Sequence, residues 1–132
     1  MIGRQGDRLT NVEYMSIDAT AFSDHWVRDW NAHDVEALLA LFTDDVRFTS
    51  PIAARLLPDT GGQVHGKSVL RHYWNTALAQ FPDLHFTVEA VYSGVDIIVI
   101  TYRNQLGGLV NEVLQFRDGL VCEGHGTYLV TP

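Results

Sequence analysis

An α+β fold, three helices followed by a four-strand antiparallel meander, is predicted by a change of period and by a set of turns. Apolar residues recur at i, i+3 and i+4 as far as Phe81 and alternate with polar ones from Leu84 onward. Glycine turns divide the second half, and Asp118-Gly119 is the strongest hairpin signal among them. With 132 residues and no repeat or charge block, the chain has the length of one domain.

Residues 1–15 mix Gly, Gln, Asp, Arg and Asn without periodicity and read as a flexible tail, leaving 16–132 as the folded unit. Phe22, Trp26 and Trp30 recur every four positions from Ile17 to Asn31, on one face of a helix that Ser16 or Asp18 can cap. Asp34 is the expected N-cap of a second helix, with Val35, Leu38, Leu39, Leu41 and Phe42 as its apolar stripe and Glu36 in its first turn. Val46 to Ser50 alternates as a short strand stopped by Pro51. Residues 52–65 carry Pro58, Gly61 and Gly62 and no sustained period, so they are expected to form a long loop of the kind that serves as a lid. A third helix follows Gly66 and carries Leu70, Tyr73, Trp74, Ala77 and Phe81 before Pro82 closes it. Four strands complete the chain: Leu84 to Tyr92, Asp96 to Asn104, Val110 to Phe116 and Leu120 to Val130.

Charge and composition exclude several function classes. Nine Lys+Arg against 16 Asp+Glu give a net charge of −7, which disfavours phosphate backbones and anionic membrane surfaces. No apolar run approaches the ~20 residues of a membrane span, and the first residues hold no apolar signal segment, so a cytoplasmic location is expected. Cys122 is the single cysteine, which excludes an internal disulfide. No histidine pair has metal-ligand spacing and no glycine loop has the phosphate-binding pattern, so neither a metal nor another cofactor is expected.

Five stretches set the chain beside a known family: Trp26 to Trp30, Asn31-Ala32-His33-Asp34-Val35-Glu36-Ala37-Leu38, Leu41 to Val46 with Ser50-Pro51 behind it, Phe81-Pro82-Asp83-Leu84, and Glu112 to Phe116 with Asp118-Gly119. In this order they resemble the nuclear-transport-factor-2-like superfamily, and within it the SnoaL-like polyketide cyclase and ketosteroid isomerase branches, over residues 17–130. The resemblance implies a cone-shaped, curved antiparallel sheet wrapped around three N-terminal helices with an internal pocket. It also implies a homodimer formed through the convex sheet face. The strand Ile97 to Ile100, apolar on both faces, fits such a dimer; the plainer alternative is an interior strand of a monomer.

Glu112 is the candidate catalytic residue. It shares a strand face with Val110, Leu114 and Phe116, so an inward orientation holds a carboxylate among apolar groups, where desolvation raises its pKa toward neutral. By the resemblance it matches the isomerase acid that hydrogen-bonds the developing enolate oxygen. The plainer alternative is a glutamate paired with Arg103 or Arg117, or one facing solvent. Other matched positions depart from the isomerase pattern: Ser50 stands where the proton-shuttling carboxylate would be, and Trp26, Phe42 and Trp74 stand where tyrosines would be. Steroid isomerisation by that route is therefore not expected, since a lone Ser hydroxyl is no base near pH 7. The expected pocket residues are Trp26, Phe48, Ser50, Trp74, Phe86, Tyr102, Leu114 and Tyr128, with Gly124 and Gly126 enlarging the cavity and the 52–65 loop over its mouth. Arg103, Asn104 and Gln115 are further candidates. His125 alternates away from Tyr128 toward the convex side, His65 is placed near the mouth, and His25, His33 and His72 read as exposed or capping. Two functions remain open: cofactor-free acid/base chemistry on a small apolar oxygenated molecule such as a polyketide, steroid or terpenoid, or a non-catalytic module that binds a hydrophobic ligand or dimerises.

Overall fold

The computed structural model describes residues 17–132, so the predicted tail and the capping role of Ser16 lie outside the described residues. Asp18 caps helix α1 (Ala19–Asn31) by accepting the Ala21 N–H at 3.0 Å, and Asp34 caps α2 (Val35–Leu39) by accepting the Ala37 N–H at 3.0 Å. Between them His33 takes a left-handed φ of 57°, and its Nε2 lies 2.8 Å from the Leu84 carbonyl, tying this corner to the segment before the meander.

The α2 stripe ends earlier than its spacing predicts. Leu41 and Phe42 leave the helix because the last strand captures them: Val121 N–H donates to the Leu41 carbonyl at 2.9 Å and Phe42 pairs with Val121. Strand β1 (Phe42–Thr49) is correspondingly longer than the expected Val46–Ser50. Residues 52–65 are not a structureless loop. They form helix α3 (Pro51–Leu56), a 3-10 turn (Pro58–Thr60) and strand β2 (Gln63–His65), which returns antiparallel along β1. Ser50 starts α3 by accepting the Ile52 N–H at 3.1 Å, with Pro51 in the first turn, where its missing N–H is no loss. Helix α4 (Lys67–Gln80) then runs to Phe81.

The meander comprises β3 (Thr87–Ser93), β4 (Ile97–Arg103), β5 (Leu109–Arg117) and β6 (Leu120–Tyr128). Leu84 to Phe86 stay outside β3 because the Asn31 side chain occupies the Phe86 backbone, donating to its carbonyl at 3.0 Å and accepting its N–H at 2.8 Å. Asp118 and Gly119 both have positive φ, 53° and 83°, as a two-residue hairpin turn of the primed type requires.

The six strands form one sheet in the order β2-β1-β6-β5-β4-β3. The β1–β6 pair is parallel and the others antiparallel, so the sheet is mixed where a wholly antiparallel one was expected. Register slips at Val88/Ala90, at Gln115/Phe116 and between Phe42 and Arg47 mark bulges, which bend and twist the sheet into a cone. Ile98, Ile100, Val110, Leu114 and Phe116 face inward to the core shared with the helices. Ile97 and Val99 on the outer face are half-buried, so the apolar strand is fully covered on one side. Among the described residues no helix is long and apolar enough to cross a membrane.

Candidate functional site

A cavity of about 150 Å³ opens between the concave sheet face, α1, α3, α4 and the β4–β5 turn. Its wall is aromatic. Trp30 meets Trp74 edge-on at 5.1 Å between ring centroids and Phe86 at 5.4 Å, and Phe86 lies 4.2 Å from Tyr102. Asn31 positions Phe86 through the two backbone bonds described above.

Five hydroxyl or carboxyl side chains interrupt this wall: Ser50, Tyr73, Tyr102, Glu112 and Tyr128. The alternation of β5 turns Glu112 inward, where the residue is 6% exposed and its carboxylate accepts the Tyr102 hydroxyl at 3.1 Å. Burial pushes its pKa from 4.5 up to about 7, against the opposing pull of the Tyr102 hydrogen bond. Neither Arg103 nor Arg117 reaches it; they pair with Glu89 and Asp45, each at 2.7 Å. Burial, and then the nearby Glu112 charge, push the Tyr102 phenol well up and the Tyr128 phenol up to about 12. The Tyr73 hydroxyl is likewise raised by burial and donates to Ser50 Oγ at 3.1 Å. Because Ser50 Oγ accepts from both Tyr73 and the Ile52 N–H, its own proton is left to donate.

Gly126 joins these two polar groups. A Cβ there would sit 3.6 Å from Ser50 Oγ and 3.7 Å from Glu112 Oε1, so the missing side chain leaves the space between them open. Gly124 does not enlarge the cavity as expected. A Cβ there would meet the Phe48 ring at 2.8 Å, so this glycine seats Phe48 against the sheet.

Of the expected pocket residues, Phe48, Ser50, Trp74, Phe86, Tyr102 and Tyr128 line the cavity together with Glu112. Trp26 and Leu114 do not. Trp26 is 1% exposed beneath Phe86 and Tyr102, with centroids 5.8 and 5.3 Å away, and Leu114 is fully buried below Gly124. The helix face was read correctly but its depth was not: Trp30, one turn later, reaches the wall that Trp26 was expected to reach. Tyr73, Arg55 and the turn residues Asn104 and Gln105 also line the cavity. Tyr73 was legible only as part of an apolar stripe, and no sequence pattern marked Arg55.

His125 points to the convex side, as its alternation predicts. Its Nδ1 lies 2.6 Å from Thr49 Oγ1 and its Nε2 2.8 Å from Glu123 Oε2. His65 lies on β2, paired with Arg47, outside the cavity lining. His25 Nε2 lies 2.9 Å from Asp29 Oδ2. Among the described residues no group of His, Cys, Asp and Glu is arranged to hold a metal.

Fold and site together define an α+β cone of the nuclear-transport-factor-2-like class, with one carboxylate set in an aromatic cavity. Within that class the chain belongs to the SnoaL-like domain family, whose model matches residues 24–124. A SnoaL-like protein of unknown function from Burkholderia thailandensis is 35% identical, with a TM-score of 0.82 over 88% of this chain and 98% of that one. At the level of fold alone the chain is similar to TerC co-crystallised with polyporic acid (13% identity, TM-score 0.67, 80% and 86% of the two chains). It is similar in the same way to a candidate ketosteroid isomerase from Kribbella flavida (20% identity, TM-score 0.66, 85% and 78%). No curated protein matches it.

Proposed function

We propose that the cavity binds a small apolar oxygenated molecule and that Glu112 moves a proton on it without a cofactor. The observation that carries this reading is a single carboxyl buried in an open aromatic cavity, with a pKa raised to about 7. Such a group is divided between acid and base forms near neutrality and can serve in either role. In the base form it accepts a proton from a carbon next to a carbonyl. The C–H pair passes into the enolate, whose oxygen takes a hydrogen bond from the Ser50 or Tyr128 hydroxyl, and the carboxyl returns the proton to the same or a conjugated carbon. Chemistry of this kind serves an isomerase or a cyclase. TerC, co-crystallised with polyporic acid in the same fold, supports the choice of a small-molecule ligand.

The test is hydrogen–deuterium exchange at the α-carbon of 2-tetralone, a two-ring probe ketone, followed by NMR. Wild type is expected to accelerate exchange as pH rises through about 7, where Glu112 ionises, and Glu112→Gln is expected to abolish the acceleration. Equal rates in the two proteins would reject catalysis. They would favour the second reading, non-catalytic binding, which the absence of a second carboxylate at Ser50 supports. We also propose a homodimer through the convex face, where Tyr92 is 60% exposed beside the half-buried Val99. A monomeric mass in sedimentation equilibrium would reject it.

A further inference from the structure

The charges around the cavity are unevenly satisfied. Acids outnumber bases 16 to 9 in this chain, so a cation ordinarily finds a partner. Arg28, Arg47, Lys67, Arg71, Arg103 and Arg117 each have a carboxylate oxygen at 2.7–3.9 Å. Arg55 is the remaining Lys or Arg among the described residues, and no described carboxylate pairs with it. It lies exposed in the last turn of α3, and it lines the cavity.

Two further groups there lack partners. The indole Nε1 of Trp30, a residue 6% exposed, is a buried donor with no acceptor among the described residues, and the Gln105 Oε1 is a buried acceptor with no donor. Both residues line the cavity, but these two atoms are themselves sealed from solvent, so the group open to a ligand there is the unpaired Arg55 guanidinium. Arg55 brings a full positive charge to the cavity and calls for an anionic acceptor, while Glu112 and the neighbouring hydroxyls offer partners to a ligand hydroxyl.

We propose that Arg55 is a specificity residue for an anionic head group, and that the ligand is an aromatic-sized apolar body carrying one carboxylate or comparably acidic oxygen and at least one hydroxyl. The inference rests on the small-molecule reading above and narrows its substrate class. The cavity volume fits one ring, since an apolar cavity of about 150 Å³ holds benzene, so a longer ligand extends through the mouth past Arg55. The Arg55 charge is felt inside: it lowers the pKa of both Tyr73 and Tyr128 against the stronger effect of burial. An anion at the mouth answers that charge, while the ring lies against Trp74 and Phe86 and the hydroxyl reaches the polar floor.

The test compares 4-hydroxycinnamate with its methyl ester by isothermal titration calorimetry at pH 6, where Glu112 is mostly protonated and does not repel the anion. The acid is expected to bind about three- to fivefold more tightly than the ester, the scale of an ion pair that stays in contact with water. The preference should shrink at high salt. In Arg55→Gln the ratio is expected to fall to about one, while Arg28→Gln, at a residue outside the cavity lining, keeps the wild-type ratio. Saturable binding of both compounds with no preference in wild type, or with the preference intact in Arg55→Gln, overturns the assignment of Arg55 and leaves the pocket reading standing. If neither compound binds, both readings fall.

Discussion

Glu112 and Glu123 are the same residue type on adjacent strands of one sheet, yet their surroundings oppose each other. Glu112 faces the concave side, where one neutral hydroxyl bonds it and burial pushes its pKa up to about 7. Glu123 faces the convex side, where His125 at 2.8 Å and Arg47 at 3.4 Å hold its pKa below the ordinary value. The strand period of two places them on opposite faces. The difference teaches that a carboxylate here has its pKa raised where burial acts on it with no cation in contact: all but one of the described Lys and Arg side chains are engaged by acids elsewhere.

The sharpest way to break this comparison is to follow stability with pH. Glu112 holds its proton more tightly folded than unfolded, so its contribution is present in full below pH 4.5 and is lost as pH rises through about 7. The loss amounts to about 3 kcal/mol. Denaturant titrations at pH 5 and 8.5 should show it in wild type, and Glu112→Gln should flatten it. A wild-type slope unchanged by that substitution would mean that the carboxyl is solvated.

The next effect distinguishes the two glycines of the concave face. Gly124→Ala forces Phe48 to move and is expected to destabilise by about 1–3 kcal/mol. At Gly126 the added Cβ meets only ordinary contacts, so stability should change by less than about 1 kcal/mol. Thermal unfolding of both variants measures the contrast, and equal losses would remove Gly126 as the opening between Ser50 and Glu112.

The smallest effect belongs to Glu123, whose folded pKa is depressed. Its stabilisation is present above pH 4.5 and is lost as pH falls through the lower folded value, the reverse of Glu112. Because its side chain is 36% exposed, screening reduces the contribution to about 0.5 kcal/mol or less. Glu123→Gln should therefore lower stability slightly near neutrality, by about 0.5 kcal/mol or less, and leave it unchanged at pH values below the depressed folded pKa, where both side chains are neutral; a difference that persists at low pH, or a loss of several kcal/mol at pH 7, would contradict the assignment.

Legibility followed the range of the interactions. Asp18 as one of two possible caps, the Asp34 cap, the Asp118-Gly119 turn and the common face of Val110, Glu112, Leu114 and Phe116 depend on neighbours within a few residues, and the structure contains each of them. Helix α3 was missed although Ser50-Pro51 is a start signal, because six residues are too few to display a period. The α2 stripe was overextended because Leu41 and Phe42 are claimed by β6, some 80 positions away. Trp26 and Trp30 share a helix face, and only the packing of Phe86 and Tyr102 above Trp26 decides which of them meets the cavity.

The sequence by itself determined the α+β class, the family resemblance and the face Glu112 shares with Val110, Leu114 and Phe116, since periodicity and turn chemistry are local properties of a chain; that this face looks inward was decided by the tertiary structure. The tertiary structure alone decided that Tyr102 holds Glu112, that Tyr73 bonds Ser50, that Gly126 opens the gap between the two, and that Arg55 stands at the cavity without an acid among the described residues. Burial and ion pairing depend on side chains brought together from distant elements, and no spacing along the chain encodes them.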